Sequence, residues 1–185
     1  MLSLERLYHD VRHEGLNGGL PMTFVKLGDG VPYPKVDDLL SEIIKVTLPS
    51  GWVCIEGDDA TEVGMGVLIK GLSACQLHTE IIASSFWKDP SWMHSVSRWC
   101  LNYRKDGMFN VFKLRNQDML RFMVSEMSDF EPLKEAFKEV NLFPGTRVLS
   151  SHPRIWPEVV EFASRYDRTR VYKWDLTVEK ENSNE

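Results

Sequence analysis

Several side chains in this sequence have types and spacings that could do chemistry. Asp58, Asp59 and Glu62 crowd into one short stretch just after an apolar run. Carboxylates that close could hold a divalent cation through oxygen ligands. Asp59 is equally suited to cap a following helix, its side chain accepting a backbone N–H, and capping is the preferred reading. His152 stands alone before Pro153. An imidazole there could be acid, base or ligand, but no partner is identifiable, so a structural role is preferred. Lys26 lies in an apolar run, where an ammonium needs either an anion or a path to the surface. Glu14 and Gly15 sit in a glycine-rich acidic loop. A carboxylate there can accept a paired N–H edge, or simply be a solvated turn acid. The three cysteines, Cys54, Cys75 and Cys100, are far apart and outside any C-x-x-C pattern, so they read as small buried hydrophobes. No Ser/His/Asp grouping and no G-x-x-x-x-G-K-[ST] loop occurs.

These residues must be positioned by an alternation of short elements. Apolar runs predict strands over residues 22–27, bounded by Pro21 and Gly28, over 52–55 and over 76–83. Between them, helical spacing of Val36, Leu39, Leu40, Ile43 and Ile44 predicts a helix over 36–46, and 62–72 reads as a second helix weakened by Gly64 and Gly66. The same beat returns with strands over 120–124, 147–150 and 170–176 and helices over 132–140 and 158–166. Ser128 with Glu131 reads as a capping box, and Pro157 as a helix-first proline. Such alternation predicts an α/β fold with a mainly parallel sheet flanked by helices. A single domain over 1–178 is expected, with a polar, frayed tail over 179–185. The stretch 85–112 has no clear period. Its Trp92 and Trp99 are spaced for one helix face, and its aromatics suit a core or a subunit contact.

Composition narrows the function classes. With 22 Lys+Arg against 27 Asp+Glu and no long basic block, nucleic acid is not expected as a partner. No apolar run approaches the ~20 residues of a membrane span, and Met1 to Arg6 lacks a signal-peptide pattern. A soluble, cytoplasmic protein is the expectation.

The segment Tyr8-His9-Asp10-Val11-Arg12-His13-Glu14-Gly15, with Gly19-Leu20-Pro21 and Phe24-Val25-Lys26-Leu27, resembles the opening of the 7-carboxy-7-deazaguanine synthases. These are radical S-adenosylmethionine enzymes of the queuosine pathway, which begin with Gln-Gly-Glu-Gly, Gly-x-Pro and Phe-Val-Arg-Leu. Arg12 and His13 depart from that pattern. Weaker similarities follow in the family's order. Ile55-Glu56-Gly57-Asp58-Asp59-Ala60 stands at its Gly-Gly-Glu-Pro turn, without the proline, and His78-Thr79-Glu80-Ile81-Ile82-Ala83-Ser84 at its third strand. Met119 to Val124, Val148 to Pro153 and Arg170-Val171-Tyr172-Lys173 complete the series.

The resemblance implies a partial (β/α) barrel. It implies that Glu14 and Gly15 meet the ring of a pterin or deazapurine, that Lys26 faces its carboxylate, and that Asp58, Asp59, Glu80 and His152 lie around the same pocket at the carboxyl ends of the strands. The family's cluster loop, C-x3-C-x2-C, is missing: Gly28 to Pro34 runs straight towards a helix. A [4Fe–4S] cluster needs thiolates, so neither cluster nor S-adenosylmethionine is expected. The implied protein is a cluster-free pseudoenzyme, a structural or regulatory subunit working as a homodimer or with a partner protein. The alternative is a pterin- or 7-deazapurine-binding protein or enzyme that retains the pocket.

Overall fold

The chain opens with a hairpin. In the computed structural model, which describes residues 2–11, 19–57, 63–83, 90–104 and 113–173, β1 (Leu2–Val11) pairs antiparallel with β2 (Pro21–Tyr33). Leu2 lies opposite Tyr33 and Val11 opposite Pro21. The sequence predicts a strand ending at Gly28 with nothing before it, because glycines punctuate strands and β1 has no clean alternation. Instead β2 continues through both glycines. Gly28 to Gly30 bulge out of β2 where Leu4 stands opposite both Leu27 and Val31, and the two backbones come so close there that a Cβ at Gly30 would lie 2.0 Å from the Leu4 carbonyl oxygen. Only glycine fits there.

The rest follows the predicted beat. After α1 (Val36–Val46) come β3 (Trp52–Glu56), α2 (Val63–Ala74), β4 (His78–Ala83), β5 (Arg98–Asn102) and β6 (Met119–Val124). Then α3 (Phe130–Glu139), β7 (Thr146–Ser151), α4 (Trp156–Ala163) and β8 (Thr169–Lys173) close the series. The eight strands lie in sequence order in one sheet, and every pair from β2 onward is parallel. This is a partial (β/α) barrel.

Among the described residues, one face of the sheet carries the helices α1 to α4. Val25, Val53, Ile55, Ile81, Leu101 and Leu120 pack there against Leu39, Ile43, Leu68, Leu72, Phe137 and Val159. The other face holds a smaller apolar cluster of Met22, Cys54, Ile82, Cys100, Met119 and Val148. That face is the lumen. Burying apolar area at ~25 cal/mol per Å² stabilises both sides, but the larger cluster holds the helices on.

Three departures from the sequence reading have physical causes. The strand β5 goes unpredicted because its apolar run, Trp99 to Leu101, is short and lies among aromatics. Trp92 and Trp99 therefore share no helix. Trp92 lies in a turn and Trp99 in β5, their rings stacked at 5.7 Å and both buried, which makes them core. The capping box before α3 is formed by Glu126 and Asp129, not Ser128 and Glu131, because a 3-10 turn (Met127–Asp129) precedes the helix. The glycines of α2 are close-approach sites: a Cβ on Gly66 would sit 2.6 Å from the Trp92 ring. Among the described residues no helix is long and apolar enough to cross a membrane. The predicted tail over 179–185 lies outside them.

Candidate functional site

Parallel strands gather their following segments at one end, and ligands in such sheets sit there. In this chain that end holds a cleft of about 460 Å³, lined by Glu5, Lys26, Gly28, Asp29, Glu56 and Asn102, with Ile82 and Ala83 as its apolar wall. The register explains the gathering. Lys26 is the Cα partner of Glu56, and Glu56 of Ile82. A bulge in β1 between Leu4 and Arg6 adds Glu5, whose carboxylate takes a hydrogen bond from Lys26 Nζ at 2.6 Å.

Lys26 thus already has an anionic partner. The Glu5 hydrogen bond raises the pKa of the ammonium, and the charges of Glu5 and Glu56 add to this against a desolvation that opposes it. Its side chain is 48% exposed, so the pair is worth only about 0–1 kcal/mol. Three carboxylates and one ammonium face the cleft among the described lining residues. The site is set up for N–H donors and cationic edges.

The predicted residues separate. Lys26 is in the cleft. Glu80, from the adjoining strand, lies deeper: it is fully buried, level with Cys54 and facing Arg98 at 3.8 Å. Arg98 lies in turn over the Trp52 ring, which stacks on His78. His152 follows β7 at the carboxyl end, where its Nδ1 accepts the Arg154 amide N–H at 3.2 Å and caps a 3-10 turn. Asp58, Asp59 and Glu62 lie outside the described residues, although Gly57 before them lines the cleft. Glu14 and Gly15 also lie outside them. Their flanking residues Val11 and Pro21 pair at the amino end of β2, the opposite end from the cleft.

Glu5, Asp29, Glu56 and Asn102 were not among the residues predicted to form the site. Glu56 was reachable in principle, as the last residue of a buried strand. Glu5 was not, because it depends on the hairpin.

On the helix side of the sheet, Tyr103 follows β5 and donates its phenol to Glu139. Burial first, and then that carboxylate, push its pKa up to about 12. A phenol whose folded pKa exceeds its unfolded value of about 10 stabilises fully below the unfolded pKa and loses that contribution as pH rises towards the folded one. Spectrophotometric titration should therefore show one tyrosine ionising near 12, and Tyr103→Phe should remove that component. Tyr103 ionising with the ordinary residues would refute this.

A partial (β/α) barrel with an acid-lined cleft at its carboxyl end defines the class of protein. No protein-family model matches the chain, and no curated protein matches it in sequence. Among solved structures it is similar to QueE from Escherichia coli, with a TM-score of 0.71 and 13% sequence identity, over 94% of this chain and 93% of that one. At that identity the likeness is one of fold.

The three cysteines do not come together. Cys54 and Cys100 are buried on β3 and β5, with β4 between them. Cys75 is exposed in the turn after α2, at the amino end of the sheet. The residues after the first parallel strand stay with the hairpin: Gly28 to Gly30 bulge opposite Leu4, Val31 to Tyr33 pair with Leu4 to Leu2, and the Tyr33 hydroxyl donates to Glu42 of α1.

Proposed function

We propose that this protein is a cluster-free relative of the QueE-type 7-carboxy-7-deazaguanine synthases, a regulatory or structural subunit whose retained cleft holds a pterin- or 7-deazapurine-like ring. The single observation behind the reading is that Val31 to Tyr33 pair with β1, with Gly28 to Gly30 as only a short bulge, within a fold that matches over 94% of the chain. Bulge and pairing together use the length of chain a cluster loop would need. The acid-lined cleft favours retention of a ring: Glu56 and Asp29 offer acceptors to a guanine-like N–H edge, and Ile82 and Ala83 offer it an apolar wall. A regulatory role calls for a partner, a second copy or another protein.

Two measurements test this. Anaerobic reconstitution with iron and sulfide should give no cluster absorption, and a stoichiometric cluster would overturn the pseudoenzyme reading. Calorimetry with 6-carboxytetrahydropterin and 7-deazaguanine should show binding. If neither binds at millimolar concentration, the pure scaffold reading replaces the ligand-binding one.

A further inference from the structure

The lumen face of the sheet is divided by charge. On its β1–β4 half, Glu5, Asp10, Glu56 and Glu80 stand with Arg6 and Lys26. On its β5–β8 half the described strand positions are basic or neutral throughout, with Arg98, Arg121 and Arg170 as the charged ones. Arg98 faces back across the boundary to Glu80. Arg121 and Arg170 do not lie at that boundary. The register sets them on either side of Val148, which is 1% exposed and forms the floor between them. Strands two apart place their Cα atoms about 10 Å from each other, a span that two long arginine side chains can close on one group.

This half of the face adjoins the cleft. Asn102 lines the cleft, is the Cα partner of Arg121, and accepts its Nε at 2.6 Å. That bond holds the guanidinium beside the opening. Tyr172 follows Arg170 on the same face of β8 and pairs with Ser150.

Resting on the ring-binding reading above, we infer that Arg121 and Arg170 form an oxyanion subsite, and that the ligand is a purine-like nucleotide whose phosphate lies there while its ring lies against Glu56. Two guanidinium forks and a phenol offer more donors than one carboxylate can accept, whereas a phosphate ester has three terminal oxygens for them. The charge division then orients the ligand. The donor edge of the ring goes to the acids and the phosphate to the arginines, and the reversed pose meets like charge at both ends.

Calorimetry of the full chain with guanosine, guanosine 5′-monophosphate and 7-carboxy-7-deazaguanine, with phosphorus NMR of inorganic phosphate, tests this. The monophosphate should bind at least about tenfold tighter than guanosine, as expected for a charge-assisted contact. Arg121→Gln and Arg170→Gln should each remove most of that gain while guanosine affinity and Tm stay unchanged. Equal binding of guanosine and its monophosphate, or an unchanged gap in both variants, overturns the subsite and leaves the ring reading standing. A larger gain from the carboxylated ring than from the phosphate, lost in the variants, overturns the nucleotide assignment. Inorganic phosphate that binds wild type but neither variant, with no ring bound, upholds the subsite and sinks the ring reading. Binding of none of these sinks both.

Discussion

Asp118→Ala should destabilise the fold by about 3–5 kcal/mol, the usual cost of removing one partner of a buried pair. Asp118 is completely buried and accepts four bonds. One oxygen takes the Trp99 amide and Arg115 Nη2, both at 2.9 Å, and the other takes the Arg115 amide at 2.7 Å and its Nε at 3.1 Å. Arg115 also donates to the Val96 carbonyl. This one carboxylate therefore ties the start of β5 to the start of β6 and seats Trp99, a fully buried tryptophan. Alanine would leave the guanidinium and two amide N–H groups without this acceptor. For a chain this long, 1 kcal/mol moves Tm by about 2–4 °C, so a fall of roughly 6–20 °C is expected in a thermal melt. A loss below about 1 kcal/mol would mean that the pair behaves like a surface one. Because Asp118 is at the amino end of the sheet, ligand affinity in any folded fraction should not change.

The cleft should respond in the opposite way. Glu56→Gln and Lys26→Met are each expected to weaken 7-deazaguanine by about tenfold to a hundredfold, with Tm nearly constant. Glutamine keeps the shape of Glu56 but presents only one acceptor, so a paired N–H edge loses a charged hydrogen bond worth about 1.5–3 kcal/mol. Methionine at position 26 removes the cation held between Glu5 and Glu56. The remaining acids then repel one another, and the geometry they present to the ring is lost. Both residues are exposed at the sheet's end, which is why stability should barely move. Calorimetry reads the affinity and a melt reads the fold. Wild-type affinity in both variants would place the ring elsewhere.

The two variants separate what the sequence by itself determined from what it could not. The alternation of elements was legible because apolar residues recur with period 3.6 in α1 and run continuously in β3, a local signal that needs no tertiary information. The likeness of the opening segment pointed to the barrel and to Lys26, and the missing cysteine triplet was legible in the same way. The hairpin was not legible. Pairing between Leu2 and Tyr33 is a contact between residues distant in sequence, and Gly28 and Gly30 carry the local signature of a break. With the hairpin hidden, Glu5 could not be matched to Lys26. Glu80 shares its face with Ile82 of the cleft wall, yet the register sets it level with Cys54 and buries it beside Arg98. Depth along the sheet depends on the register with all its neighbours. The strand register alone decided that Arg121 and Arg170 flank Val148, because nothing along the chain relates positions so far apart until the sheet lays them side by side.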